Sequence, residues 1–293
     1  MRTSPFKMLR FLAVPLAMAG ATACGDSTGT GATLTVALTD AADTLLQSAV
    51  VEIGEIQIIP ASGSPVTLST DGGTHDLLAL QGGVTADLAT LDIDPGTYLQ
   101  LRIVVSAATV TLKPGLTFND GTDTKDLVVP SGAQSGIKIN LDAADGDAES
   151  EGIDIVAGET ILVVDFDVSQ NFVVQGNADT AAGINGILFT PLLRATVRNV
   201  AGSIAGAVTT AADGSAVEGA TVRAVQTQSG LMEELQTAEA TAVTDAAGSY
   251  RIMFLAPGSY EVTVDSLTTE PASRSVTVGE GEDVTGVDFT SGG

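Results

Sequence analysis

Few residues of this 293-residue chain could do covalent or acid–base chemistry, and they lie far apart. Cys24 is the only cysteine and His75 the only histidine. A nucleophile–histidine relay therefore has one candidate base, in Gly-Gly-Thr-His-Asp-Leu-Leu, and no Gly-x-Ser-x-Gly elbow accompanies it. His75 beside Asp76 is expected on a solvated loop-to-strand step. Neither a P-loop nor a dinucleotide fingerprint occurs. Carboxylates are the richer class. Asp142, Asp145, Asp147, Glu149 and Glu151 crowd a Gly-bearing loop, and oxygen ligands on a loop suit Ca²⁺. The EF-hand spacing fails, however: counting from Asp145, the sixth place is Ser150 and the twelfth Val156. A self-repelling solvated loop is the plainer expectation, with weak Ca²⁺ binding as the candidate chemistry. Asp40 with Asp43, and Asp165 with Asp167, are sparser pairs, the latter expected on one face of a strand. No other cofactor is implied, and the chain is expected not to be an enzyme.

Cys24 has a different context. Arg2, Lys7 and Arg10 precede an apolar stretch from Phe11 to Ala19, and small residues run from Gly20 to Ala23. That order is the order of a secretory signal peptide. The apolar stretch is shorter than the roughly 20 residues needed to span a bilayer core, which makes a transmembrane anchor the weaker reading. Ala21-Thr22-Ala23-Cys24 resembles the lipobox of bacterial lipoproteins, with alanine where that family has leucine three residues before the cysteine. The resemblance implies removal of residues 1–23 and a lipid on Cys24; an ordinary signal with an incidental cysteine is the alternative. Each buried acyl CH₂ contributes about 0.8 kcal/mol, so the three chains implied would hold the protein firmly on a membrane. Residues 24–31 read as a flexible tether. Gly25, rather than aspartate, after the cysteine points by the same resemblance to the outer membrane of the cell envelope.

The formal net charge is −24, and three units more negative without Arg2, Lys7 and Arg10. Such a surface repels nucleic acid. A protein or glycan partner stays open. Glycan platforms favour exposed aromatic rings, and the chain has no Trp. After Cys24 the aromatics are Tyr98, Tyr250, Tyr260, Phe118, Phe166, Phe172, Phe189, Phe254 and Phe289, nearly all at positions where a strand needs core.

The elements that must position any site are strands. Apolar residues recur at every second place in 33–40, 50–59, 98–106, 109–113, 137–142, 160–168 and 192–197, the signature of one buried and one wet face. Turn chemistry separates them at Asp71-Gly72-Gly73, Gln81-Gly82-Gly83, Asp94-Pro95-Gly96, Lys113-Pro114-Gly115 and Asn119-Asp120-Gly121. Short helical turns are expected within 40–49, 77–83 and 230–240. The pattern predicts an all-β protein, sandwich or barrel, in two domains, 32–199 and 202–290, with the boundary between Asn199 and Gly202.

Residues 202–290 resemble the carboxypeptidase regulatory-like family. The resemblance rests on Gly202-x-Ile204-x-Gly206-x-Val208, on Asp213-x-x-Ala216-Val217-x-Gly219-Ala220-x-Val222, and on Gly248, Tyr250, Leu255, Pro257-Gly258 and Tyr260-x-Val262-x-Val264. It implies a transthyretin-like sandwich of seven strands. Pro257-Gly258 is expected to form a type II turn with φ > 0 at Gly258, and Tyr250 to pack across the same hairpin as Tyr260. The zinc peptidase chemistry in the family's name needs paired histidine ligands that this chain lacks. Residues 32–198 resemble the bacterial lipoprotein family called domain of unknown function 4382. The carrying residues are 38–43 (LTDAAD), 51–58, 76–83, 95–106, 129–139, 161–167 and 191–197, with 140–152 as an acidic departure. That resemblance implies an immunoglobulin- or transthyretin-like sandwich without known chemistry. Pro95-Gly96-Thr97-Tyr98 echoes Pro257-Gly258-Ser259-Tyr260, one turn-into-strand device used twice.

Overall fold

Two long strands organise the first body of the computed structural model, which describes residues 31–40, 45–129, 135–142, 151–177, 183–227, 239–265 and 267–292. They are β2 (Leu46–Pro60) and β6 (Gly96–Leu112), antiparallel to each other. Strict alternation would bury every second residue along both. Instead the buried set of β2 is Leu46, Ala49, Val51, Ile53, Ile56 and Ile58, with odd steps at 46–49 and 53–56. Register shifts fall at those steps. A bulge inserts one residue and returns the next side chain to the inner face, so one strand stays in phase with the core over fifteen residues. The expected break between 106 and 109 is therefore absent, and both stretches belong to β6.

Shorter strands line the outer edges of this pair. β3 (Val66–Ser69) and β4 (Gly73–Asp76) pair with β2; β7 (Thr124–Asp126), β8 (Ile137–Asn140) and β9 (Ile153–Ile155) pair with β6. The facing sheet has the order β13-β10-β1-β5, from β1 (Ala32–Thr39), β5 (Ala86–Ile93), β10 (Gly158–Asp165) and β13 (Arg194–Val197). A hairpin of β11 (Phe172–Asn177) and β12 (Gly183–Phe189), led by the one-turn helix α1 (Val168–Asn171), extends the body. Phe166, Phe172 and Phe189 stack there with ring centroids 5.1–6.3 Å apart.

The second body starts at β14 (Gly202–Thr210). One sheet has the order β17-β14-β22-β19, with β17 (Ser249–Leu255), β22 (Phe289–Ser291) and β19 (Thr269–Glu270); β21 (Asp283–Val284) also joins β14. The other has the order β16-β15-β18-β20, from β16 (Glu239–Val243), β15 (Thr221–Gln226), β18 (Gly258–Val264) and β20 (Ser273–Val278). Only seven of these strands exceed two residues, β19 and β21 being the two-residue pieces.

The protein is all-β, and its two sandwiches share a topology. In each, the first strand lies between an antiparallel strand (β5 beside β1, β17 beside β14) and a parallel late one (β10 beside β1, β22 beside β14). In each, the chain then turns a Pro-Gly corner into the opposite sheet, where β6 pairs with β2 and β18 with β15. Each sandwich has its own apolar core, one built on Leu34, Ile56, Ile103 and Leu162, the other on Ile204, Val222, Ile252 and Val262. Both lie within one compact unit, 31–293.

Three expectations change. Residues 46–49 belong to β2 rather than to a helical turn, whereas 77–80 do form a 3₁₀ turn; 230–238 lie outside the described residues. Gly258 has φ 157°, positive as expected, but it opens β18 in nearly extended backbone rather than near the +80° of a type II turn, so no type II turn forms; Phe254 nearby also has a positive φ (54°). Tyr250 and Tyr260 sit in opposite sheets, because the corner crosses the sandwich instead of folding a hairpin. Among the described residues no helix is long and apolar enough to cross a membrane.

Candidate functional site

Chemistry-capable side chains converge at the junction of the two sandwiches. Asp165 ends β10, and Arg194 stands directly opposite it on β13. Their side chains form an ion pair, with 16% and 7% of the Arg194 and Asp165 side chains exposed. Arg194 also reaches across the junction: Nη1 donates to the Phe254 carbonyl at 2.8 Å and Nη2 to the Met253 carbonyl at 3.2 Å. β17 is an edge strand, and such edges need covering; Arg194 of the first body takes up two of its carbonyls. The same contact supports Phe254 in left-handed backbone, which costs a non-glycine residue about 1–3 kcal/mol. Asn171 ties the chain after β10 to the segment before β13, its amide donating to the carbonyls of Asp167 (2.9 Å) and Leu192 (3.0 Å).

Asp167 makes the second crossing. Just past β10, at φ 37°, it leaves the strand, and its carboxylate accepts from the Ser169 hydroxyl at 2.7 Å and from Thr241 of β16 at 3.0 and 3.1 Å. Burial and, second, the negative charge of Asp165 push its carboxyl up to about 6, against the hydrogen bonds from Ser169 and Thr241 and the Arg194 charge. Asp40 completes the group, its Oδ1 accepting from the Val168 backbone N–H at 2.8 Å. Asp40, Asp165 and Asp167 are each at most 5% exposed. Above them an open cleft of about 700 Å³ is lined by Asp40, Gly82, Gly83, Arg251, Met253 and Phe254. The bodies touch closely at its rim, where a Cβ on Gly83 would lie 2.8 Å from the Met253 sulfur.

Asp165 and Asp167 therefore do not share one strand face, as their spacing suggested; both are buried and one lies beyond the strand. Asp43 lies outside the described residues, as do Cys24, Asp145, Asp147 and Glu149. Asp142 and Glu151 are exposed. Among the described residues no group of three His, Cys, Asp or Glu side chains could hold a metal ion. His75 lies on β4, partly buried, with Nε2 2.7 Å from the Gly72 carbonyl oxygen, rather than freely solvated. Arg194 and Thr241 carried no sequence signal as partners; a lone arginine inside the apolar run Leu192-Leu193-Arg194-Ala195 was the available clue.

The sheet order repeated in both bodies sets the frame for comparison with known proteins. The family model described as Domain of unknown function (DUF4382) matches residues 31–181. The chain belongs to that family. A second family model, the carboxypeptidase regulatory-like domain, follows at residues 203–291. The DUF4382 match stops short of β12 and β13, so Arg194 lies between the two matched ranges while Asp40, Asp165 and Asp167 lie inside the first. None of the curated proteins matches the chain. Among solved structures, the TIE protein of Bacillus anthracis is similar at 14% identity and TM-score 0.24, over 89% of this chain and 34% of that one. The chain thus spans about a third of that protein's length. The minor pilin GBS52 of Streptococcus agalactiae is similar at 8% identity and TM-score 0.23, over 88% of this chain and 95% of that one. The major pilin subunit BcpA of Bacillus cereus is similar at 9% and 0.24, over 89% and 99%. At these scores the likeness carries no inference about this DUF4382 protein.

Proposed function

We propose that this protein is a non-catalytic module of the bacterial cell envelope, tethered by lipid on Cys24 and serving as a binding or structural element. The observation that carries the reading is the placing of one cysteine directly behind a signal-like segment, seven residues before the described chain begins and eight before β1. A sandwich that starts so soon after an anchor is held within a short tether's reach of the membrane. The residues that could do chemistry further support it. His75 is bonded to its own turn, and the buried carboxylates of Asp40 and Asp167 are taken up by the Val168 backbone and by the Ser169 and Thr241 hydroxyls.

The aromatic side chains favour a protein contact or a structural role over glycan capture. Tyr98, Tyr250, Tyr260, Phe118, Phe166, Phe172, Phe189 and Phe289 are all at most 4% exposed, which leaves Phe254 as the one partly open ring among the described residues. A sugar platform would want such rings on the surface. Outer-membrane residence follows from Gly25 and belongs to the same proposal.

The test is Cys24→Ser in the native host, with fractionation of the envelope. The variant is expected in the soluble fraction while the wild-type protein stays with membranes; unchanged membrane retention would refute the anchor. A glycan array probed with residues 27–293 addresses the alternative, a carbohydrate-binding lipoprotein, and is expected to stay blank.

A further inference from the structure

The junction buries three carboxylates against one cation. Charged and titratable groups facing Asp167 come from each element packed on it: Asp165 at the end of β10, Asp40 after β1 and Arg194 on β13; α1 and β16 contribute the neutral hydroxyls of Ser169 and Thr241. Arg194 is pinned between Asp165 and the two β17 carbonyls. Farther up the cleft, Arg251 is paired with Asp283, and the Asp245 carboxylate accepts from the backbone of Ala247 and Ser249. No cation among the described residues is hydrogen-bonded to Asp167, whose carboxylate takes its bonds from Ser169 and Thr241. Its hydroxyl partner on the other sandwich is Thr241, itself only 4% exposed. Seating the second sandwich is thus what seals Asp167 from water on that side.

We propose that this junction is a proton-operated latch: the second sandwich seats firmly on the first while Asp167 is protonated and loosens its seat when Asp167 ionises.

The physical reason is desolvation. A carboxylate cut off from water in an apolar setting is costly unless fully compensated. Lifting Thr241 away readmits water to Asp167, so the unseated arrangement tolerates the charge better than the seated one. The seated arrangement must then bind the proton more tightly, in agreement with the raised carboxyl of Asp167. The sign follows. A carboxyl raised above its ordinary value contributes fully below that value, and the contribution is lost as pH rises through about 6. The gap between 3.8 and about 6 allows up to a roughly hundredfold weakening of the seat between pH 4 and pH 8.

Hydrogen–deuterium exchange on the intact chain at about pH 5 and pH 8, with labelling times scaled for intrinsic chemical exchange, reads the latch. Peptides covering β16 and β17 (239–255) are expected to lose at least tenfold protection at the higher pH, while β2 peptides stay unchanged. Asp167→Asn, neutral at both values and still able to accept from Thr241, should hold 239–255 protected throughout. Equal wild-type protection at the two pH values overturns the proposal, as does an equal loss in Asp167→Asn. Carboxyl ¹³C NMR on the wild-type chain needs no folded variant: a midpoint near 6 for Asp167 supports the latch, and full ionisation by about pH 5 refutes it.

Discussion

The two Pro-Gly corners, one in each sandwich, perform the same turn with different neighbours. At the first, Tyr98 is 3% exposed and its hydroxyl donates to the Asp94 carbonyl at 2.7 Å; at the second, Tyr260 is 3% exposed and donates to the Ala256 carbonyl at 2.7 Å. In both, the chain leaves one sheet and enters the other within two residues, and the phenol ties the start of the new strand back to the end of the old. The glycines are less alike. A Cβ on Gly96 would meet nothing within 4 Å, whereas one on Gly258 would lie 2.5 Å from the Gln226 amide nitrogen. Around the first corner the tight spot lies on the partner strand's side, where a Cβ on Gly152 (φ 97°) would stand 2.3 Å from the Tyr98 carbonyl oxygen. The buried tyrosine defines the corner, and the glycine of the motif answers to local packing.

Truncating the tyrosines is the most severe way to break the parallel. Tyr98→Ala and Tyr260→Ala each remove a buried ring, a change of about 3–5 kcal/mol. Calorimetry should show Tyr260→Ala unfolding the smaller second sandwich while the first melts near its wild-type temperature; joint collapse of both would deny the separate cores. Arg194→Ala comes next. Removing one partner of a buried pair costs about 3–5 kcal/mol, somewhat less here because the arginine side chain keeps 16% of its surface exposed. The loss should appear as earlier melting of the first sandwich, which keeps the uncompensated Asp165, together with a weaker seat for β17 of the second.

Milder tests sharpen the comparison. Tyr260→Phe leaves the Ala256 carbonyl unpaired at a buried site, whereas the Tyr98 bond is partly open to water. Unpaired buried acceptors cost about 1–3 kcal/mol, so urea midpoints should fall further for Tyr260→Phe than for Tyr98→Phe. Alkali separates the bodies too. Burial raises the Tyr260 phenol to about 12 and pushes that of Tyr250 still higher. A raised phenol stabilises the fold below its ordinary value near 10, and that stability is lost as pH rises through the folded value. Tyrosinate absorbance from Tyr250 and Tyr260, separated from that of Tyr98 by comparison with Tyr98→Phe, should therefore appear together with loss of the second sandwich, and titration of those two phenols near 10 in the folded chain would contradict their burial. Smallest of all, Gly96→Ala should leave the melting temperature within a degree or two, since nothing stands in the way of the added methyl.

Much of this fold was legible in the residues. Alternation located β1, β2, β6, β10 and β13, and the repeated Pro-Gly-x-Tyr pointed to two sandwiches made by one device. The merging of 98–106 with 109–113 into a single strand was not legible, because a bulge keeps the inward phase across a step that looks like a break. The hairpin β11–β12 went unseen as well, since Phe172 and Phe189 are separated by glycines and polar residues with no clean period. The junction was the least readable part. Asp165 and Asp167 looked like neighbours on one strand face because their spacing is two. A left-handed residue at 167 and a threonine seventy-four positions away bury them, and neither effect has a local sequence signature.

The most direct test of the anchored-module reading is the intact mass of the protein extracted from native membranes. The expected mass is that of a chain beginning at Cys24, raised by a diacylglyceryl thioether and an amide-linked acyl group. A chain with a bare Cys24 thiol would contradict it.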